Sequence, residues 1–203
     1  MKQALVIGAG PVGLMAAREL ARAGLRVTVA EAKPSVGRKF LMAGKSGLNL
    51  TKAEPFADFL CAYGMKAEDL RPMLEAFGPD EVRDWARAHG QEMFTGSTGR
   101  VFPVGMKASP LLRAFMNELS DLDVTIHTSW RWTGWQEGAL FDTPEGPQTV
   151  ALDVTVLACG GASRARLVSD GAWDAHIDAG ALAPFRPANM GFRVEPYLVT
   201  RMA

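Results

Sequence analysis

Residues 5–17 read LVIGAGPVGLMAA, and the reading of this stretch decides the fold. Gly8, Gly10 and Gly13 form a G-x-G-x-x-G spacing between an apolar run at 4–7 and a small-residue helical pattern at 14–23. That strand–turn–helix setting is the one in which the spacing has a physical meaning. Gly8 permits a tight turn, Gly10 lets the backbone approach a pyrophosphate, and Gly13 lets helix and strand pack closely. The helix N-terminus then offers backbone N–H groups and the positive end of its dipole to an anion. Pro11 loses nothing near the first helical position, where its N–H would have no partner, and Val12 belongs to the same cradle.

Glycine-rich turns recur by chance, so the second half of the pattern matters more. Residues 26–30 alternate as a β-branched strand that ends in Glu31, followed by Ala32. Glu31 lies 18 residues beyond Gly13, where a carboxylate is expected to meet ribose hydroxyls. Cradle and acid together predict a dinucleotide site in a βαβ unit.

The bulk numbers bound the rest. A chain of 203 residues is long enough for one full domain and part of another. The 22 basic and 22 acidic residues balance, which gives no electrostatic footing for nucleic acid or an anionic membrane. Cys61 and Cys159 are far apart and form no C-x-x-C, so neither a dithiol pair nor a zinc site is expected. The N-terminus reads as a first strand rather than a signal peptide, and no apolar run reaches membrane-spanning length. The expectation is a cytoplasmic protein.

Along the chain, the connection after Glu31 is punctuated by glycine, proline and lysine and carries no sustained helical stripe, a length that marks functional loops. Helical patterns follow at 56–63, 67–77 and 79–89, giving a helical segment over about 55–90. Residues 92–103 read as two short strands around a turn, and Ser109 and Pro110 open another helix. The period then changes to two. Residues 123–127 form a strand, and 130–135, 139–143 and 148–152 a small antiparallel meander over about 130–152. A fully apolar strand at 154–158 runs into Gly160 and Gly161. Trp130, Trp132 and Trp135 are open to two readings, a stacking platform for bases or, as aromatics alternating on a strand more often are, core filling; the second is preferred. The histidines, at 89, 127 and 176, have no carboxylate or cysteine partner at a motif spacing and read as structural or surface residues.

A plain nicotinamide domain continues through helical crossovers. A meander before the last parallel strand instead resembles the glutathione-reductase-type FAD domain. The predicted fold class is therefore α/β: a Rossmann-like parallel sheet with an antiparallel β-meander.

A narrower resemblance rests on five segments. These are GRKFLMAGKSGLNLT (37–51), TGSTGRVFP (95–103), VLACGGAS (156–163), SDGAW (169–173) and RPANMGF (186–192). They resemble, in this order, the BaiN-type NAD(P)/FAD-dependent oxidoreductases over essentially the whole chain. The resemblance implies FAD bound in extended form, its pyrophosphate at Gly8–Gly13 and its ribose on Glu31. It implies that Arg38, Lys39 and the loop through Asn49 line the flavin side, and that Trp132 presents backbone to the adenine. Ala158, Gly160 and Gly161 would close over the dinucleotide, and NAD(P)H would be the electron donor. Arg38 and Lys39 have the charge to stabilise a reduced flavin. No general acid or base is assigned, since hydride chemistry belongs to the cofactor.

Two departures stand out. Family members continue after the segment matching 186–192 into a substrate-side domain and then return to the flavin site. Here residues 1–183 read as the FAD-binding domain and 184–203 as an incomplete start of the next, so a face exposed for self-association is expected. The family's run of glycines before Arg-Cys is replaced by GKSGLNL, so the flavin loop is expected to differ. The substrate is not readable. A nicotinamide-dependent dehydrogenase, a non-catalytic nucleotide-binding remnant and an RNA-modifying flavoprotein remain alternatives, the last disfavoured by the neutral charge.

Overall fold

The computed structural model of the chain describes residues 1–43, 47–162, 169–178, 180 and 182–186. Its centre is a parallel sheet of four strands in the order β10 (Val154–Leu157), β1 (Gln3–Ile7), β2 (Arg26–Glu31), β6 (Thr125–Thr128). Ile7 pairs with Ala30 on one side and Leu157 on the other. The C-terminal ends of the three strands are therefore level, and the loops that follow them open together at one end of the sheet. Ligands of open α/β sheets bind at that end.

Strand β1 is buried on both faces, which explains its unbroken apolar run. Its side chains nevertheless divide with period two. Ala4 and Val6, with Val27 and Val29 of β2, pack against Leu14 and Ala17 of α1 (Pro11–Arg22) and Leu112, Phe115 and Leu119 of α6 (Ala108–Asp121). Leu5, Ile7 and Ala30 point the other way, onto Trp132, Ala139 and Phe141. Those residues belong to the antiparallel meander β7 (Arg131–Trp135), β8 (Ala139–Thr143), β9 (Gly146–Val150). The α/β class with a meander on one face is as the sequence predicts.

A second layer of structure leaves the sheet between β2 and α6. It holds α2 (Arg38–Ala43), β3 (Thr51–Lys52), α3 (Phe56–Cys61), α4 (Ala67–Ala76), α5 (Pro79–Ala88), β4 (Met93–Thr95) and β5 (Arg100–Pro103). The three short strands pair in the order β3–β5–β4. Leu48, Ala86, Ala108 and Leu111 form its core. Glu81 caps α5, accepting the Gly78 N–H at 2.9 Å.

Several elements depart from the sequence expectation. Helix α2 and strand β3 occupy the stretch read as irregular, because one helical turn and a two-residue pairing are too short to show a period. Strand β9 begins two residues earlier than expected, at Gly146. Pro147 lacks an N–H, but β9 is an edge strand, where one side of the ladder is open. Of the tryptophans, Trp132 is core at 7% exposure, whereas Trp135 is 46% exposed.

His89 has a carboxylate partner that no sequence spacing reveals. Its Nε2 lies 2.9 Å from Glu118 Oε2 on α6, and its Nδ1 2.7 Å from Trp85 O. Arg18 Nε of α1 donates to the other Glu118 oxygen at 2.8 Å. The residue is structural, as expected, and ties the end of α5 to α6 and α1. Lys45 and most of residues 184–203 lie outside the described residues.

Candidate functional site

A cavity of about 540 Å³ opens at the C-terminal ends of β1, β2 and β10, a size typical of ligand sites. The turn after β1 contributes Gly8, Gly10, Pro11 and Val12 to its wall. Glu31 and Ala32 come from the end of β2, Arg38 and Lys39 from the start of α2. Trp132 comes from β7, and Ala158 and Gly160 from the turn after β10. Eleven of the fourteen residues singled out in the sequence thus meet in one cavity.

The other three do not line it. Gly13 lies behind the cradle, where a Cβ would stand 1.8 Å from Gly8 O; its role is close packing of α1 on the turn. Asn49 is exposed and sits between Leu48 and Leu50, whose N–H groups bond Met106 O and Val101 O, both at 3.0 Å. Those bonds hold it on the second layer, apart from the cavity wall. Gly161 faces Phe185 rather than the cavity.

The cradle is built as an anion site. Gly10 caps α1 without a side-chain hydrogen bond, and no acidic residue occupies the first turn. The first intrahelical bond runs from Leu14 N–H to Gly10 O at 2.9 Å. The N–H groups of Val12 and Gly13 precede it, so no carbonyl of the helix is available to them. Gly8 (φ +108°) is pressed against Ala158, whose carbonyl oxygen is 2.4 Å from the position of an added Cβ. At Gly10, by contrast, an added Cβ meets nothing within 4 Å. A methyl there would project into the space over the helix N-terminus.

Glu31 is fixed by backbone. Oε2 accepts the Ala9 N–H and Oε1 the Lys33 N–H, each at 2.8 Å. A carboxylate has about four lone-pair sites, so roughly two remain for hydroxyl donors. The neighbouring Cys159 thiol is pushed up to about 11, by burial first and by the Glu31 charge second. It is a protonated, weakly reactive thiol whose Sγ lies 3.7 Å from Ile7 O.

The sequence reading missed the opposite wall. Trp130, whose N–H bonds Glu31 O at 2.9 Å, and Arg131 come from the start of the meander. Trp173 and His176 arrive from the helical turn at Ala172–His176, and Asp170 from just before it. Trp173 Nε1 donates to Gly160 O at 2.8 Å, and Asp170 pairs with Arg131 at 3.4 Å. The Asp170 carboxyl is held below its ordinary value, first by the Ala172 N–H and, against a small burial effect, by Arg131. The motif SDGAW carries this wall in the sequence, but nothing marks His176. Among the described residues no cluster of His, Cys, Asp or Glu is arranged to hold a metal, and no helix is long and apolar enough to cross a membrane.

Solved structures share this fold. A flavocytochrome c3 fumarate reductase in an open conformation has a TM-score of 0.59 at 20% identity, covering 79% of this chain and 34% of that one. The 3-ketosteroid-delta4-(5alpha)-dehydrogenase of Rhodococcus jostii RHA1 gives 0.57 at 17% identity, with 79% and 46% covered. THI4 of Thermovibrio ammonificans gives 0.52 at 16%, with 88% and 63% covered. At these identities the likeness is one of fold, and the chain spans less than two thirds of each neighbour's length. Residues 2–183 match the HI0933-like protein Rossmann domain, and the chain belongs to that family, the BaiN-like FAD-dependent oxidoreductases.

Proposed function

We propose that this chain is the FAD-binding part of an oxidoreductase that passes hydride from NADH or NADPH, through the flavin, to a small-molecule substrate. The observation that carries the reading is the joint geometry of Gly10 and Glu31. An open helix N-terminus fits a pyrophosphate, and a backbone-anchored carboxylate one peptide away fits the adjoining ribose diol. The Val12 N–H at the open end of α1 would bind the phosphates, and Glu31 would accept from the ribose hydroxyls. Arg38 and Lys39 lie where α2 reaches the cavity and would offset the charge of a reduced flavin. The flavin, when bound, supplies the hydride-accepting and hydride-donating chemistry. The protein's part is to orient it, exclude water from the Trp132 side, and keep Cys159 protonated and out of the reaction.

The meander over Leu5 and Ile7 favours this reading over a plain nicotinamide dehydrogenase, whose crossovers are helical. Two free thiols fit a reducing compartment, and we place the protein in the cytoplasm on that ground. Calorimetric titration tests the assignment. The full chain binds ADP and FAD, and Glu31→Ala weakens both by about tenfold, the worth of one charge-assisted hydrogen bond. Anaerobic addition of NADH or NADPH then bleaches the bound flavin. Equal binding by wild type and Glu31→Ala would remove the ribose assignment, and an unbleached flavin the donor.

A further inference from the structure

Outside the cavity, the second layer carries an apolar face that its own packing does not use. Leu70, Met73, Leu74 and Phe77 recur at i, i+3, i+4 and i+7 along α4 and its C-cap, the spacing of a core-facing stripe. The helix holds to its end, where Phe77 N–H bonds Met73 O at 2.9 Å. Yet no residue of α4 is buried, and Met73 is 60% and Phe77 39% exposed. Beside the stripe a cleft of about 240 Å³ opens between α3, α4 and α5. Its apolar lining is Phe56, Leu74 and Pro79, and its carboxylates are Glu54, Glu75, Asp80 and Glu81. Leu74 belongs to both, so stripe and cleft are one surface. Phe56 is held there by Gly78, where an added Cβ would stand 3.7 Å from the ring, and by Phe59 at 6.2 Å. None of these residues lines the dinucleotide cavity. We infer that this face docks a basic amphipathic helix of a partner protein, its apolar side on the α4 stripe and a Lys or Arg side chain in the cleft.

Charge decides between the occupants that an apolar stripe admits. Residues 54–81 hold seven acids against two bases, a net charge of −5 within a chain that balances as a whole. A second copy joined by two-fold symmetry would set this surface against itself, and like charges brought together cost association. An anionic membrane is repelled for the same reason. A partner with cations flanking an apolar stripe gains on both counts, and a helix reads i, i+3, i+4, i+7 anchors with its own. The cleft suits a long basic side chain, whose methylenes would lie on Phe56, Leu74 and Pro79 while the head reaches the carboxylates. Glu81 is occupied by the Gly78 N–H. The other three have local cations: Lys52 for Glu54, Arg71 at 3.7 Å for Glu75, and Arg83 at 3.1 Å for Asp80. Exposed pairs of this kind are weak, so an incoming cation competes with them.

Fluorescence anisotropy on the full chain tests the inference. The probe is a labelled 18-residue peptide of Leu, Lys and Ala, with Leu at helical spacing and Lys on the flanks. It should bind the wild type and weaken at least about tenfold on Met73→Asp, although that change adds a negative charge. Glu75→Lys should also weaken it and reduce its sensitivity to salt. A peptide of the same composition in scrambled order should bind at least about tenfold less tightly. Both substituted positions are exposed, and the melting temperature with unchanged FAD binding establishes that each variant is folded. Equal binding of the scrambled peptide, binding that ignores Met73→Asp, or no binding by the wild type overturns the inference. Sedimentation velocity covers the other occupant: self-association that Met73→Asp abolishes would give the face to a second copy and overturn it too. Each of these results leaves the dinucleotide reading standing, because the two surfaces share no residue.

Discussion

A methyl group added at each cradle glycine has three different consequences. At Gly8 it meets Ala158 O at 2.4 Å on a backbone with φ of +108°, at Gly13 it meets Gly8 O at 1.8 Å, and at Gly10 nothing within 4 Å. Gly10 has φ −79° and ψ 178°, which alanine adopts without strain. Gly10→Ala is therefore expected to keep stability within about 0.5 kcal/mol and to lose about tenfold or more in ADP affinity. Gly13→Ala should instead cost at least about 2 kcal/mol of stability, read by urea denaturation. The spacing in the sequence names all three residues but does not separate them; the separation depends on Ala158, which arrives 150 positions later along the chain. Cys159 gives a further prediction at this scale. With its thiol pushed up to about 11, it should react with a thiol reagent at pH 8 about a hundredfold more slowly than an ordinary exposed thiol. Exposed Cys61 supplies the fast phase. A second fast phase would mean that the cavity floor is open to solvent.

At the scale of elements, the join between α1, α5 and α6 depends on Glu118. Burial works to raise its carboxyl, but Arg18 and His89 outweigh burial and hold it below the usual value. The sign follows directly. A depressed folded value contributes stability above the unfolded carboxyl's titration range, and this is lost as pH falls through the folded value. Glu118→Gln should cost roughly 1–2 kcal/mol near pH 7 and flatten the acid limb of the stability–pH curve. An unchanged acid limb would place the stability of this join in packing of Trp85 and Phe115 instead. Elements with a full period were legible before the structure: α4, α5 and α6 from their apolar stripes, β1 and β2 from run and alternation. Helix α2 was not, because Gly37, Gly44 and Gly47 bracket a single apolar turn and mask it. The His89–Glu118 pair was not, because 29 residues separate its members. Only the packing of α5 on α6 brings them together.

For the whole molecule, level strand ends on β1, β2 and β10 collect segments from six parts of the chain into one cavity. The half of that cavity built by local sequence, the turn at Gly8–Val12 and the acid Glu31, was readable. So was the meander that favours a flavin over a nicotinamide cofactor. The wall opposite the cradle was not readable as a wall, because Trp173 and His176 acquire their position from Gly160 and Gly134, and no local spacing encodes those meetings. Asn49 is a different case. It belongs to a family-like motif, yet the bonds of Leu48 and Leu50 assign it to the second layer.

The most direct measurement is the visible absorption spectrum of the purified chain after incubation with excess FAD and gel filtration. A flavin spectrum retained at equimolar ratio, and lost on Gly10→Ala, is the expected result. A colourless wild-type protein that also fails to bind ADP would contradict the assignment of the Gly10–Glu31 cavity to the dinucleotide.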